Sequence, residues 1–337
     1  MSQASRPNIT VLGAGSWGTA LAMLLSRNGS RVNLWDRDAD HIKRLSAERS
    51  NQHYLPGIEF PELLSPVAEL EDALNCSDFI LVVVPSAGFR SVLQRIRFLI
   101  DSSSNLIWAS KGLEPGSAKF LHQVADEELP EHGSVAMLSG PSFAMEVAKG
   151  LPTAVTIASE DVEYARTVVK LFHCPRFRAY TSDDVIGVEL GGSAKNVLAI
   201  AAGISDGLGY GANARAALIT RGLAEIMRLG MKLGGRQETF MGLAGVGDLV
   251  LTCTDDQSRN RRLGLAIGRG TPLEQAVADI GQAIEGLHTA RELATLADTQ
   301  QVDMPITQQV KRVLYDGESA SAAVDALLAR EPKAEAL

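Results

Sequence analysis

The chain has 337 residues, 45% of them hydrophobic and 21% charged, with a formal net charge of −8 and three cysteines. At roughly 100–200 residues per domain, that length suits two domains and can bury a sizeable core without disulfide staples. The acidic balance argues against a general nucleic-acid or membrane-surface binder, since both depend on a basic field.

The start, "MSQASRPN", is polar, has no apolar signal core and runs straight into a strand. "NITVLG" reads as a buried strand followed by a helix from about Ser16, and "RVNLWD" as a second strand followed by a helix over "HIKRLSAERS". "DFILVVVP" is a central strand with a helical stretch through Phe89 to Leu99; "NLIWAS" is another, with a helix around Phe120 to Glu128. "SVAMLSG" and "TAVTIAS" continue the alternation, followed by helical "ARTVVKLF". β-branched, apolar strands alternating with helices indicate a mostly parallel sheet covered on both faces. The longest apolar runs are far too short to span a bilayer, so no integral membrane segment is expected.

After about Val185 strand-like runs nearly vanish, and Ala, Leu and Gly at helical spacing dominate through "ARAALITRGLAEIMRLGMKLG", "PLEQAVADIGQAIEG" and "TARELATLADTQ". The second half reads as all-helical, ending in a charged tail, "AREPKAEAL", that is expected to fray. The division expected is a Rossmann-type dinucleotide-binding domain over 1–187 and a helical substrate-binding domain over 188–337. Cys76, Cys174 and Cys253 are far apart, odd in number and without a C-x-x-C pair, which suits a reducing cytoplasm.

"VLGAGSWG" sets Gly13, Gly15 and Gly18 in G-x-G-x-x-G spacing between a strand and a helix. The first glycine permits the tight turn, the second lets a pyrophosphate approach, and the third lets helix and strand pack closely. N–H groups around Ser16 and Trp17 then face the negative charge. Asp36 follows at the end of the second strand, where a carboxylate accepts ribose hydroxyls and suits NAD. Arg37 beside it pulls the other way: it either stacks on the adenine or clamps a 2′-phosphate, which suits NADP, or is a solvated surface arginine. "VVVPS" ends a strand where ligands sit in open α/β sheets, so Pro85 and Phe89 are placed to border a nicotinamide, although Phe89 reads more simply as helix core.

Cations follow. Lys111 in "SKGLE" lies just past a strand end, as a crevice-facing group or a plain loop lysine. In "LSGPSFAMEVAKG", Gly140 and Ser142 precede a helix start that either holds substrate oxygens or is simply capped by Ser142. Lys195 in "GVELGGSAKN" sits among Gly191, Gly192, Ala199 and Ala202, beside Asn196; it either snorkels or lies buried with its ammonium aimed at something. Asp248 and Thr252 follow a glycine-rich turn, and Ser258 is placed to cap a helix whose first turn carries Arg259 and Asn260, a suitable seat for a phosphate. Asp256, Arg261 and Arg262 read as a solvated or subunit-facing charge cluster. No His/Cys cluster stands at ligand spacing, so no metal is expected.

Taken together, "GAGSWGTALA", "SKGLE", "GVELGGSAKN", "GLAGVGDLVLTC", "QSRNRR" and "GQAIEG" resemble, over essentially the whole chain and in order, the soluble bacterial-type NAD(P)-dependent glycerol-3-phosphate dehydrogenases. The resemblance implies a Rossmann domain followed by a helical domain, usually as a homodimer. It implies reduction of dihydroxyacetone phosphate by NADH or NADPH to sn-glycerol 3-phosphate for phospholipid synthesis. By the same resemblance the catalytic lysine falls on Lys195, and substrate positions on Lys111, Gly140, Ser142, Asp248, Ser258, Arg259 and Asn260. Cofactor positions fall on Ser16, Trp17, Arg37, Lys111, Ala144, Arg259, Ala283 and Glu285. Asp36 departs from the pattern, being acidic where a small or neutral residue is expected in an NADP-preferring member.

The chemistry agrees. Hydride addition to a ketone makes an alkoxide, which a positioned ammonium stabilises and protonates. Burial and the second cation, Lys111, would lower the pKa of Lys195, while Asp248 would oppose the shift and orient the ammonium. Two rivals remain on sequence grounds. One is a two-domain dehydrogenase of hydroxy acids or ketopantoate-like substrates, which leaves "SRNRR" and two lysines unexplained. The other is a non-catalytic NAD(P)H-sensing module, which has no need of Lys195 in an apolar helix.

Overall fold

In the computed structural model of the chain, residues 6–101, 104–131 and 133–331 are described. Most of the expected frayed tail, residues 332–337, lies outside them. Contacts divide the molecule into two compact units, Met1–Ser110 with His122–Val185, and Lys111–Leu121 with Ile186–Leu337.

Among the described residues all eight strands belong to the first unit: β1 (Asn8–Leu12), β2 (Arg31–Trp35), β3 (Leu64–Pro66), β4 (Phe79–Val82), β5 (Asn105–Trp108), β6 (Val135–Ser139), β7 (Thr153–Ala158) and β8 (Phe177–Ser182). They lie in the order β3-β2-β1-β4-β5-β6-β7-β8. Every neighbouring pair is parallel except β6 with β7. The first six follow the doubly wound dinucleotide-binding order. Strands buried on both faces must be apolar throughout, hence the unbroken "FILV" of β4, buried at every position. Val11, Leu34, Leu81, Ile107, Leu138 and Ile157 pack with the helices Ser16–Arg27 and Val162–Phe172 into one core. The mostly parallel sheet read from the sequence is the one observed.

Two strands escape the sequence pattern. β3 has three residues and ends in a proline, and β8 alternates buried and exposed residues before its exposed end. Both are edge strands, where one side of the ladder is left unpaired and the proline is tolerated.

In the second unit the helix Val185–Gly207 is buried without a break from Gly187 to Ser205. It is long and apolar enough to cross a membrane, yet 89% of its most apolar window is buried inside the molecule. A helix apolar on every side is a core helix when protein surrounds it. Its glycines mark close backbone approaches. A Cβ at Gly191 would lie 2.6 Å from the Ala244 carbonyl oxygen, and one at Gly203 would lie 2.2 Å from that of Arg261. Gly207 meets Gly268 in the same way. The helix Arg259–Gly268 and the turn Leu243–Gly247 therefore rest directly on the core helix. Glu225, on the helix Gly211–Lys232, accepts from Ile306 N–H, Thr307 N–H and the Thr307 hydroxyl, capping the helix Pro305–Tyr315 from 81 residues away.

Candidate active site

The glycine-rich loop has the shape its spacing predicts. Gly13 adopts φ +116°, and a Cβ there would lie 2.4 Å from the Val83 carbonyl oxygen. A Cβ on Gly18 would lie 1.8 Å from the Gly13 carbonyl oxygen. Protein atoms thus require glycine at both positions. Around Gly15 nothing lies within 4 Å of the added atom, so its lack of a side chain leaves open space over the helix start. Gly15 is also the N-cap of Ser16–Arg27 and supplies no side-chain cap. First-turn N–H groups beside an open glycine form a cradle that suits a pyrophosphate, and Ser16 and Trp17 are the first two helical residues.

Asp36 is not turned outward. Its Oδ2 accepts from Ala14 N–H at 2.8 Å and its Oδ1 from Asp38 N–H at 3.2 Å. The carboxylate expected to take ribose hydroxyls also braces the loop, each oxygen keeping a second lone pair. Arg37 is exposed and makes no hydrogen bond or ion pair among the described residues. A second brace lies outside the sequence reading. Asn51 Nδ2 donates to the Ala14 carbonyl at 3.0 Å and to Thr19 Oγ1 at 2.9 Å, and a His41 ring nitrogen lies 3.2 Å from the same carbonyl. No motif marks these residues; only the fold brings them to Ala14. Phe89 is fully buried, edge-on to Trp108 at 5.9 Å between ring centroids, as its core reading predicts.

In the second unit the expected cations converge on one carboxylate. Lys195, 7% exposed, donates to Asp248 Oδ1 at 2.5 Å, and Lys111 donates to Asp248 Oδ2 at 2.9 Å. Asp248 is itself buried, at 1% exposure. Lys195 also donates to Thr252 Oγ1 at 3.1 Å, while the Thr252 hydroxyl donates to the Asp248 main-chain carbonyl at 2.6 Å. An ammonium has three hydrogens, so Lys195 retains one with no partner among the described residues.

The fold explains the convergence. Lys195 comes from the buried core helix. Asp248 is delivered by the turn Leu243–Gly247, which sits on Gly191 one helical turn before Lys195. Lys111 is held there because Leu113 and Phe120 of its own short segment are buried in the helical core. Two ammonium groups thus meet on one buried carboxylate. Burial pushes Lys195 down to about 8, with Lys111 adding to the fall and Asp248 opposing it. Burial acts to raise Asp248, but Lys111 and Lys195 together hold it below the usual carboxylate range.

Ser258 caps the helix Arg259–Gly268, accepting from Arg261 N–H at 3.2 Å, as expected. In that first turn Asn260 is buried, and its amide bridges Asn196 on the core helix and the Gly286 N–H at the start of the helix Glu285–Thr299. Ala283 lies in the loop just before Glu285, the first residue of that helix. The charge cluster expected to be solvated or subunit-facing is partly internal. Arg261 is buried and paired with Asp206 at 2.5 Å and Asp256 at 2.9 Å, because its helix lies against the core helix that carries Asp206. Arg262 remains exposed.

Back in the sheet unit, Gly140 takes φ +142°, and the Ser142 hydroxyl donates to its carbonyl at 2.9 Å. Ser142 is therefore no helix cap: the helix Ala144–Ala148 has Phe143 at its N-cap, without a side-chain bond. Among the described residues no group of three or more His, Cys, Asp or Glu side chains is placed to hold a metal ion.

Comparison with known proteins is consistent along the chain. Residues 8–165 match the family model for the N-terminus of NAD-dependent glycerol-3-phosphate dehydrogenase, and residues 184–325 match the model for its C-terminus. The chain is 59% identical over 331 residues to glycerol-3-phosphate dehydrogenase [NAD(P)+] of Thioalkalivibrio sulfidiphilus, covering 98% of this chain and 99% of the relative. It is 52% identical over 328 residues to the protein of the same description from Pseudoalteromonas translucida, covering 97% and 98%. A crystal structure of glycerol-3-phosphate dehydrogenase from Coxiella burnetii superposes with a TM-score of 0.94 at 50% identity, covering 96% of this chain and 99% of that one.

Proposed function

The chain belongs to the NAD-dependent glycerol-3-phosphate dehydrogenase family, and on that footing we propose that it reduces dihydroxyacetone phosphate to sn-glycerol 3-phosphate with Lys195 as general acid. It is an NAD(P)-dependent oxidoreductase. The observation that carries the acid assignment is the unclaimed third hydrogen of a buried ammonium whose other two are held by Asp248 and Thr252. When bound, NAD(P)H supplies the hydride. As the carbonyl carbon is reduced, negative charge grows on its oxygen, and Lys195 N–H donates to that oxygen and then transfers the proton. Asp248 and Thr252 hold the ammonium against rotation, so little reorganisation accompanies the charge shift. Lys111 adds a second positive charge beside Lys195 and is tied to the same carboxylate.

The start of the helix Arg259–Gly268 takes the substrate phosphate, with Ser258, Arg259 and Asn260 as its side chains. Gly140 and Ser142 are assigned to substrate oxygens. The pyrophosphate lies over Gly15, Ser16 and Trp17, with Gly13 and Gly18 shaping the loop, Arg37 beside the adenosine ribose, and Ala144, Ala283 and Glu285 as further cofactor positions. The sheet unit is the cofactor domain and the helical unit the substrate domain. The protein acts as a homodimer in the cytoplasm, and its product feeds glycerophospholipid synthesis.

The direct test is loss of the nicotinamide absorbance on adding dihydroxyacetone phosphate, with 2-keto acids and ketopantoate as the comparison panel. Turnover confined to the phosphorylated ketone is expected. Turnover of the keto acids instead would establish the rival dehydrogenase reading, and no turnover with any of them would favour a binding module.

A further inference from the structure

Two buried asparagines and one glycine in the helical unit fix one another's polarity. The Gly286 main-chain N–H can only donate, and it lies 2.9 Å from Asn260 Oδ1. That fixes which end of the Asn260 amide is oxygen. Asn260 Nδ2 therefore faces Asn196, and it lies 2.9 Å from Asn196 Oδ1. Asn196 Oδ1 is thereby turned toward Asn260, and the Asn196 Nδ2 on the other side makes no hydrogen bond among the described residues. A main-chain donor thus determines, through two side chains, that Asn196 offers N–H and not C=O. Asn196 and Asn260 are 6% and 8% exposed, so neither amide is free to turn in bulk water.

Gly286 is what allows the arrangement. A Cβ there would lie 2.7 Å from Asn260 Oδ1, 2.7 Å from Ile200 Cδ1 and 2.9 Å from the Asn196 carbonyl oxygen. Contacts under about 3 Å cannot stand in a packed interior, so any side chain at 286 must displace the Asn260 amide or the backbone of the core helix.

We infer that Gly286, Asn260 and Asn196 form a directional amide relay, with Gly286 as a positioning residue, that presents Asn196 Nδ2 to the phosphoryl oxygens of the substrate. A phosphoryl oxygen only accepts hydrogen bonds, so a reversed amide would set oxygen against oxygen. The relay joins the residue after Lys195, the first turn of the helix that Ser258 caps and the start of the helix Glu285–Thr299. It rests on the glycerol-phosphate reading above.

The test compares wild type, Gly286→Ala, Asn196→Ala and the double variant in the steady state. Gly286→Ala is expected to lower kcat/KM for dihydroxyacetone phosphate by about tenfold or more, to change that for unphosphorylated dihydroxyacetone much less, and to leave the KM for NAD(P)H within about twofold. In the Asn196→Ala background it should add little, because both changes remove one donor. Equal losses on the two ketones, or full additivity, would overturn the relay. Wild type failing to turn over dihydroxyacetone phosphate at all would instead overturn the function it rests on.

A measurement on wild type covers the case in which Gly286→Ala does not fold. In the protein with 15N-labelled asparagine, sn-glycerol 3-phosphate should shift the side-chain amide resonance of Asn196, and glycerol should not. An Asn196 amide resonance that stays put while sn-glycerol 3-phosphate binds would reject the proposal.

Discussion

Lys195 is the acid in the proposed reduction because burial and geometry act on it together. An ammonium near its ordinary pKa of about 10.4 gives up its proton slowly at neutral pH; desolvation brings this one down to about 8. In the proposed ketone reduction the protonated form is the active one. The rate should therefore be flat below about pH 8 and fall roughly tenfold per unit above it, whereas oxidation of sn-glycerol 3-phosphate should rise to a plateau above the same point. Lys195→Ala is expected to cut turnover by about 10²-fold or more while NAD(P)H binding is kept, as fluorescence titration would show. In Asp248→Asn the opposing carboxylate is gone, so the falling limb should move to lower pH; an unmoved limb would mean that some other group is titrating.

At the proposed cofactor end, each Asp36 oxygen accepts from one main-chain N–H group, and Arg37 is exposed, as the proposed contact with a 2′-phosphate requires. Arg37→Ala should raise KM for NADPH by about ten- to a hundredfold, the worth of a charged hydrogen bond, and leave KM for NADH nearly unchanged. The spacing of Asp36 from the glycines is visible in the sequence. The direction its carboxylate turns is not, because that depends on where Ala14 N–H points after folding.

Among the elements, the glycines carry two different messages that one sequence pattern cannot separate. At Gly203 the space is filled by protein, since an added Cβ would lie 2.2 Å from the Arg261 carbonyl and 2.8 Å from Leu265 N. At Gly15 it is empty. Gly203→Ala should cost about 1–3 kcal/mol in denaturant unfolding, as overpacking does. It should also raise KM for dihydroxyacetone phosphate, because the helix that Ser258 caps must move off the core helix. Gly15→Ala should leave the unfolding midpoint nearly unchanged and weaken NAD(P)H binding. The reverse outcome would mean that Gly15 is structural and that its cradle holds nothing.

Periodicity exposed the long helices and the continuous apolar strands. It did not expose β8, whose alternating burial leaves a weak apolar signal, nor the turn Leu243–Gly247, where Gly245 departs from helical dihedrals at φ −99° and ψ −105°. That turn delivers Asp248, so Lys111, Lys195 and Asp248 were legible as candidates while the backbone that brings the carboxylate to the two ammonium groups was not.

At the scale of the molecule, each unit has its own core. One is built around the sheet; the other is built around the core helix and includes Leu113 and Phe120 from a segment that interrupts the first. A single division at 187/188 misses that excursion, because nothing local in "SKGLEPGSAKF" says where its two apolar side chains will be buried. Two cores make two-state unfolding the wrong expectation for the chain. Calorimetry should show two transitions, or one whose calorimetric enthalpy exceeds its van't Hoff enthalpy. A ligand stabilises the unit that binds it by about 2.7 kcal/mol at a hundred times its Kd. sn-Glycerol 3-phosphate alone should therefore raise the transition of the helical unit more than that of the sheet unit, and NAD(P)H alone that of the sheet unit more. The stretch Lys111–Leu121 should be protected in hydrogen exchange together with the helical unit, although it lies between strands in the chain. If either ligand raised both transitions equally, folding of the two cores would be coupled, and the assignment of cofactor to one and substrate to the other would lose its support.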